Sequence, residues 1–365
     1  MLKHSQTNPR KPLREYTHTH THGDLESNSQ NRIVYFDVLN ILACICVVFL
    51  HMNGIVHIYS NSRAWKTALV FEVICYWAVP VFIMLSGATL LKYRERYDTK
   101  TFFKKRFIKI LIPWIVWSFV IYVNNNKNIN IVQFVKDFCY CRIEAIYWFF
   151  PLILYLYCLI PILSLLLKER KLLWGIVIFI FIFSGIINPL CKIMNVSFPT
   201  IFNYCLETNS SIMFLILGYL LSTTEFSKKQ KGIIYLLGIM SIIIRYGYTY
   251  YFSINKDMLN RDLFDYCSFI SVFLAVSVFV FIKNINWDSV LKKMHIKTGY
   301  LVKISSCSFG IYLIHIIVKN NVTNLFNLNV YSIWYRTVGA VLLYIICLLI
   351  TYIIKKIPIL KKIMP

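Results

Sequence analysis

The sequence predicts an all-α integral membrane protein, a bundle of about ten transmembrane helices with both termini in the cytoplasm. The first observation is composition. Of the 365 residues, 58% are hydrophobic and only 15% are charged, whereas a soluble domain carries about a quarter charged residues. The second observation is that apolar segments recur along the chain. The third is an uneven distribution of Lys and Arg between alternate connections, which orients helices in a bilayer.

Ten apolar segments follow the polar start of the chain, and most approach the ~20 residues that a helix needs to cross the hydrocarbon core. They cover residues 33–56, 66–91, 107–123, 145–167, 172–190, 210–222, 232–252, 264–282, 304–318 and 332–354. The 210–222 segment is short, so it needs preceding polar residues or packing against its neighbours to span.

The positions of Lys and Arg agree with this order of segments. If the N-terminal tail is cytoplasmic, 28 of the 39 basic residues lie in the tail and in connections on its side. Nine lie in the opposite connections, and Arg245 and Arg336 lie inside helices. Cytoplasmic loops carry such an excess. Membrane orientation therefore accounts for the net charge of +23, and no nucleic-acid partner is expected.

Three regions are predicted along the chain. Residues 1–32 form a polar tail with the composition of a disordered segment, residues 33–356 form the membrane domain, and residues 357–365 form a short basic C-terminal tail. The eleven cysteines are scattered and show no metal-ligand spacing. Buried cysteine usually behaves as a small hydrophobic residue, so we expect no metal and no permanently bound cofactor.

His51 is the leading candidate for a catalytic residue. It lies in an otherwise apolar run, where an ionisable side chain is costly to bury and therefore indicates function. Histidine also exchanges a proton near neutral pH. Asp37 and Asn40 precede it on the same predicted helix, and the eleven residues from Asn40 to His51 place both on nearly one face, ~16 Å apart. The alternative is a structural histidine that donates to a carbonyl of a neighbouring helix.

Two further stretches carry features of interest. Pro80 removes a helix donor and Gly87 permits close backbone approach, so a kinked and tightly packed helix is expected there. A basic run follows, in which Arg106 and Lys109 lie one turn apart and face the same way. This run is either a cytoplasmic anchor or a binding site for an anionic cofactor.

Aromatic residues and a second histidine complete the set of candidates. Trp148 and Tyr157 belong to an aromatic block that could equally form an interfacial belt. Tyr312 and His315 lie three residues apart on one face of a later helix.

Taken together, these stretches resemble the acyltransferase-3 family of membrane O-acyltransferases, which modify bacterial surface glycans. The matching positions are, in chain order, His51, then Pro80, Phe82, Ser86 and Gly87, then Arg106 and Pro113, then Trp148, Phe149, Tyr157 and Pro161, and finally Gly218, Tyr219 and residues 308–315. The resemblance spans roughly residues 33–320. This chain has Asn40 where the family usually has Arg or Lys, so another residue, such as Arg106 or Lys109, would have to supply that cation.

The resemblance implies transfer of an acyl group from acyl-CoA, acetyl-CoA or another, to a hydroxyl of a cell-surface or lipid-linked glycan at a bacterial plasma membrane. His51 would be catalytic, as a general base or as a transient acyl carrier. Arg106, Lys109 and Asn40 would bind the acyl donor. The residues that would line or support the path are Asp37, Ser86, Trp148, Tyr157, Tyr312 and His315.

Two other kinds of polytopic protein are alternatives to this function. A transporter or flippase for lipid-linked glycan typically shows duplicated or inverted halves, and the sequence shows no internal duplication. A polymerase of a surface polysaccharide usually carries its site on a long outer loop, and the longest outer loops here have only about twenty residues, near the top of ordinary loop lengths.

Overall fold

The structure, a computed structural model, describes residues 33–126, 128–198 and 210–365. The predicted tail, residues 1–32, lies outside these ranges. The described residues form helices joined by turns, with no β-strand among them. In chain order the helices are α1 (Val34–Met52), α2 (Arg63–Cys75), α3 (Ala78–Leu90), α4 (Thr99–Asn125), α5 (Ile131–Cys139), α6 (Phe149–Leu165), α7 (Arg170–Ile180), α8 (Asn188–Ile193), α9 (Ser211–Ser222), α10 (Lys228–Lys256), α11 (Phe269–Lys283), α12 (Trp287–Lys293), α13 (Thr298–Leu325), α14 (Ile333–Arg336) and α15 (Val338–Lys356).

The predicted all-α membrane fold is confirmed. Within the described ranges, eight helical segments are long and apolar enough to cross a membrane. The pair α11 and α12, bent by 66°, makes a ninth if it is counted as one broken span. Helix α9 is apolar but has only 12 residues. Each of the ten predicted apolar segments is thus helical, while length and composition support eight or nine spans. The cytoplasmic position of the termini stays a prediction.

Helix α1, which carries His51, packs against other helices on several sides. Its neighbours are α2, α3, α11, α13 and α15. Buried residues recur along α1 at Leu39, Ala43 and Val47, at the spacing of one helical face. The same helix carries Asn40 and His51, so its packing against α3 and α13 determines where these polar side chains lie.

The kink predicted near Pro80 takes the form of a break between two helices. Helix α2 ends at Cys75 and α3 begins at Ala78, with a turn between them. Proline lacks the N–H that would bond to the carbonyl four residues earlier, so a continuous helix cannot form here without losing that bond. The interruption lies beside the cavity described below.

The close packing expected at Gly87 is also present. Helices α3 and α9 meet at Gly87 and Gly218. A Cβ atom on Gly87 would fall on the backbone carbonyl of Leu215, and one on Gly218 would fall on that of Met84. Only glycine allows two backbones to approach this closely, so α3 is held directly against α9.

A buried hydrogen-bond network fixes the end of α1 that carries His51. The guanidinium of Arg336, which is 2% exposed, donates to Asn53 Oδ1 at 3.2 Å and to Thr67 Oγ1 at 2.9 Å. Asn53 Nδ2 in turn donates to the Arg336 carbonyl at 3.1 Å. Because unsatisfied buried polar groups are costly, this network holds α1, α2 and α14 together.

The residues after α15 pack against the bundle. Trp117 Nε1 of α4 donates to the carbonyl of Ile363 at 3.0 Å. Met364 is fully buried, beside Gly310. The segment predicted as a short basic tail therefore packs against α4 and α13.

Candidate functional site

A cavity of about 380 Å³ lies beside α1. Helices α1, α2, α3 and α13 contribute to its wall, together with the connection before α6 and the one between α10 and α11. Both Asn40 and His51 line it, so these two side chains share one cavity along the length of α1.

His51 and His315, the two membrane histidines singled out in the sequence, lie side by side. Their ring centroids are 5.1 Å apart. His315 is fully buried, and its Nδ1 lies 3.1 Å from the carbonyl oxygen of Ile311 and 2.9 Å from that of Tyr312. Because both neighbours are acceptors, Nδ1 carries the proton and Nε2 keeps a lone pair. That Nε2 has no hydrogen-bond partner among the described residues.

A positive charge accompanies this pair. Lys319 lies one turn after His315 on α13, and its ammonium donates to the main-chain carbonyl of His51 at 3.5 Å. Sequence reasoning missed Lys319. Its four-residue spacing from His315, which places both on one helical face, is the signal that could have found it.

Asn40 is held by α13. Its Nδ2 donates to the carbonyl and to the hydroxyl of Ser305, at 2.8 and 2.9 Å. One residue on, the carbonyl of Ser306 accepts from the ammonium of Lys355 at 2.7 Å. Lys355 therefore brings a cation close to position 40, where the family usually has Arg or Lys. Lys355 was not among the residues singled out in the sequence.

The remaining predicted donor-binding residues form a region adjacent to the cavity. Arg106 Nη2 donates to the Tyr97 hydroxyl at 3.3 Å, and the Arg106 guanidinium lies close to Tyr157. Lys109 interacts electrostatically with Arg106 and with Lys355. These residues do not line the cavity.

Ser86 connects this region with the cavity. The Ser86 and Tyr157 hydroxyls interact, and Ser86 donates to the Phe82 carbonyl at 3.2 Å. Phe82, one turn away on α3, does line the cavity. One helical turn of α3 therefore separates the Arg106 region from the space beside His51.

Two predicted aromatic residues line the cavity. The Tyr312 hydroxyl donates to the carbonyl of Ile146, so its proton is already engaged in holding α13 against the connection before α6. Trp148 is 41% exposed and stacks on Tyr266 with the ring centroids 6.0 Å apart.

Four of the ten predicted site residues line the cavity, namely Asn40, His51, Trp148 and Tyr312. The other six are Asp37, Ser86, Arg106, Lys109, Tyr157 and His315. Asp37 is buried within α1. Among the described residues no group of three or more His, Cys, Asp or Glu side chains is placed to hold a metal ion.

Three charged or titratable residues of the cavity wall were not part of the predicted site. Glu72 of α2, His57 and Arg261 all line the cavity. The signal for Glu72 was a carboxylate inside an apolar span, which indicates function by default. Burial and the nearby Arg261 guanidinium lower the pKa of His57, so this imidazole, which lies outside the spanning helices, is neutral at neutral pH.

Comparison with known protein families gives one result. A family model described as an acyltransferase domain (Acyl_transf_3) matches residues 33–354. No curated protein and no solved structure matches the chain. The match covers every residue of the cavity wall and nearly the whole chain. The protein therefore belongs to the acyltransferase-3 family of multi-pass membrane acyltransferases.

Proposed function

We propose that the protein is a membrane O-acyltransferase that moves an acyl group from acyl-CoA to a hydroxyl of a cell-surface or lipid-linked glycan. Acetyl-CoA is the simplest donor. The observation that carries the proposal is the position of His51, which lines a cavity of about 380 Å³ in a chain of the acyltransferase-3 family. The bacterial plasma membrane, inferred from the family resemblance and the distribution of Lys and Arg, is the proposed location.

His51 acts as a general base in the simplest form of this reaction. One ring nitrogen takes the proton of the acceptor hydroxyl as its oxygen bonds to the carbonyl carbon of the thioester. The carbon–sulfur bond then breaks, and the CoA thiolate leaves with the proton that His51 returns. The lone pair on His315 Nε2 can accept the proton of the other His51 nitrogen, which would orient His51 and stabilise its charged form.

A covalent route uses the same residue. His51 attacks the thioester carbonyl and releases the CoA thiol, and the acyl-imidazole then passes its acyl group to the hydroxyl. The two routes differ in one measurable property, because only the covalent route leaves labelled acyl groups on the protein when acyl-CoA is supplied without acceptor.

The cations at the Asn40 end of α1 are the proposed contacts for the CoA phosphates. Arg106, Lys109 and Lys355 come from two helices, α4 and α15, that lie near Asn40 and Ser305. Charge-assisted hydrogen bonds to phosphate are the strong ones. From there the acyl-bearing arm of CoA would pass Ser86 and Phe82 to reach His51.

Proton NMR of the host's surface polysaccharide, with and without this gene, tests the proposed function. We expect the polymer to persist in the strain lacking the gene while its acyl ester signals disappear. Loss of the whole polymer would contradict transfer and favour a transporter, flippase or polymerase.

A further inference from the structure

The end of the cavity away from Asn40 is lined by charged and titratable groups. Glu72, His57 and Arg261 belong to three different segments of the chain, yet all face this end. The proposed chemistry at His51 uses none of them.

Glu72 lacks a partner within the part of the chain that the structure describes. It is 4% exposed, and no hydrogen bond or ion pair joins its carboxylate to a described residue. The charges that act on it are those of Arg245 and Arg261. A buried carboxyl group without hydrogen bonds is costly, and Glu72 lines the cavity, so a group that enters the cavity can reach it.

Arg245 is bonded to the protein through one guanidinium nitrogen, while its Nε and Nη1 have no hydrogen-bond partner among the described residues. It is fully buried, it donates to the hydroxyl of Ser271, and its guanidinium lies 4.2 Å from the ring centroid of Tyr76. It does not line the cavity. Arg245 therefore supplies a positive charge behind the wall, close to Glu72.

Stacked aromatic rings form the wall next to Glu72. Tyr76 and Tyr266 stack with centroids 4.6 Å apart and ring planes at 20°. Trp148 continues the stack on Tyr266 at 22°. All three line the cavity. Trp148, the last ring of the stack, is 41% exposed and offers aromatic surface to the C–H groups of a ligand. A carboxyl group hydrogen-bonds with hydroxyls, so the wall suits a ligand with an apolar face and a hydroxylated edge.

Arg261 is held by a structured connection between α10 and α11. Its chain neighbours Asn260 and Asp262 are joined by a side-chain hydrogen bond of 2.7 Å. Ser253 Oγ accepts from the Asn260 backbone at 2.9 Å, and Tyr248 donates to Asp262 at 3.0 Å. The Arg261 side chain is exposed and forms no hydrogen bond or ion pair with the described residues, while its main-chain carbonyl accepts from the Phe264 N–H at 3.0 Å. Its backbone is fixed while its guanidinium is available at the cavity.

We propose that this end of the cavity, built from Glu72, Arg261 and the stacked Tyr76 and Tyr266, is an acceptor subsite for a sugar ring that carries an oxyanion. The Glu72 carboxylate accepts from a ring hydroxyl beside the one acylated, and Arg261 binds the oxyanion in the bidentate manner typical of guanidinium. Arg261 is an exposed cation at this end of the cavity, so an oxyanion on the sugar has a charged partner there.

The oxyanion can be a ring carboxylate or a phosphate, and three probes distinguish these sources. The assignment rests on the proposed function, but binding can be measured without acyl-CoA on the purified full-length protein in detergent. Methyl glucoside is the neutral probe, methyl glucuronoside carries the carboxylate, and glucose 1-phosphate carries the phosphate. Isothermal titration of each gives its dissociation constant.

We expect one of the two anionic probes to bind at least about tenfold more tightly than methyl glucoside, the effect of one charged hydrogen bond. Arg261→Gln should remove this preference and Arg261→Lys should keep part of it. Glu72→Gln, which keeps the shape of the side chain, should weaken binding of all three probes about tenfold. Lys256→Gln and Glu95→Gln are matched controls, since both change one exposed charge away from the cavity.

The subsite is contradicted if the wild-type protein binds all three probes equally, if Arg261→Gln keeps the anion preference, or if Glu72→Gln binds like the wild type. These failures are separate from failure of the proposed function. A protein that binds anionic sugars through Arg261 but moves no acyl group retains the subsite. A protein that acylates sugars with no effect of either variant retains the function and loses the subsite.

Discussion

The imidazole rings of His51 and His315 lie 5.1 Å apart between centroids, although 264 positions separate them in the chain. The two main-chain carbonyls at His315 Nδ1 set its tautomer, and its Nε2 has no hydrogen-bond partner in the described ranges. A hydrogen bond from His51 to this nitrogen would make a base with an orienting neighbour, which is the common geometry of activated groups in enzymes.

Replacement of His315 should affect catalysis more than binding. We expect His315→Leu to lower kcat for acyl transfer about 10- to 100-fold with little change in either KM, because one hydrogen bond to the charged form of His51 is worth about 1.5–3 kcal/mol. His315→Gln, whose side-chain oxygen can accept in place of Nε2, should recover part of the rate. Equal rates for His315→Leu and the wild type would remove His315 from this role.

Replacement of Arg106 should affect the use of the acyl donor. We expect Arg106→Ala to raise KM for acyl-CoA about tenfold or more, from loss of one charge-assisted contact to phosphate, and to leave KM for the acceptor unchanged. Lys168→Ala, which removes an exposed cation after α6, is the control. If the dependence of rate on acyl-CoA is the same in Arg106→Ala and the control, Arg106 does not bind the donor.

The contact between α3 and α9 should be intolerant of a single methyl group. Gly218→Ala places a Cβ on the carbonyl of Met84, and overpacking of this kind costs about 1–3 kcal/mol or more. The control, Gly232→Ala, lies in α10 with no atom within 4 Å of the added carbon, and should be neutral or slightly stabilising because alanine favours helix. The two variants are compared by their midpoints of thermal unfolding in detergent, monitored by size-exclusion chromatography. Similar midpoints would show that the helices can separate at no cost.

The network around Arg336 should stabilise the end of α1 that carries His51. Arg336→Ala leaves Asn53 Oδ1 and Thr67 Oγ1 without their donor, and such a loss costs about 1–3 kcal/mol for each buried group. We expect a lower thermal midpoint together with reduced acyl transfer. Lys228→Ala, which changes an exposed residue at the start of α10, should leave both unchanged. An unaltered midpoint in Arg336→Ala would show that the network contributes little.

The local sequence pattern was sufficient to predict the helices and the close approach of two helix backbones at Gly87. Hydropathy identifies the apolar segments, and glycine marks positions where two backbones can approach closely. Both signals come from residues that are near one another in the sequence. The sequence predicted about ten spans, and length and composition support eight or nine among the described residues because α9 and the two helices of the bent α11–α12 pair are short.

The composition of the cavity depends on contacts between distant segments, which pattern cannot supply. Asn40 is satisfied by Ser305, 265 residues away. Glu72 and Arg261 line the same cavity although 189 positions separate them in the chain. Lys355 lies near Asn40 only because α15 packs against α1 and α13. A single sequence contains no information on these pairings.

Acyl transfer by His51→Ala tests the central claim most directly. Washed membranes containing equal amounts of the inserted wild-type or variant protein are given labelled acetyl-CoA and surface glycan, and label in the glycan is counted. The account predicts that the variant loses transfer by at least about 100-fold, as removal of a general base or a nucleophile does. Transfer at the wild-type rate in His51→Ala membranes would contradict it.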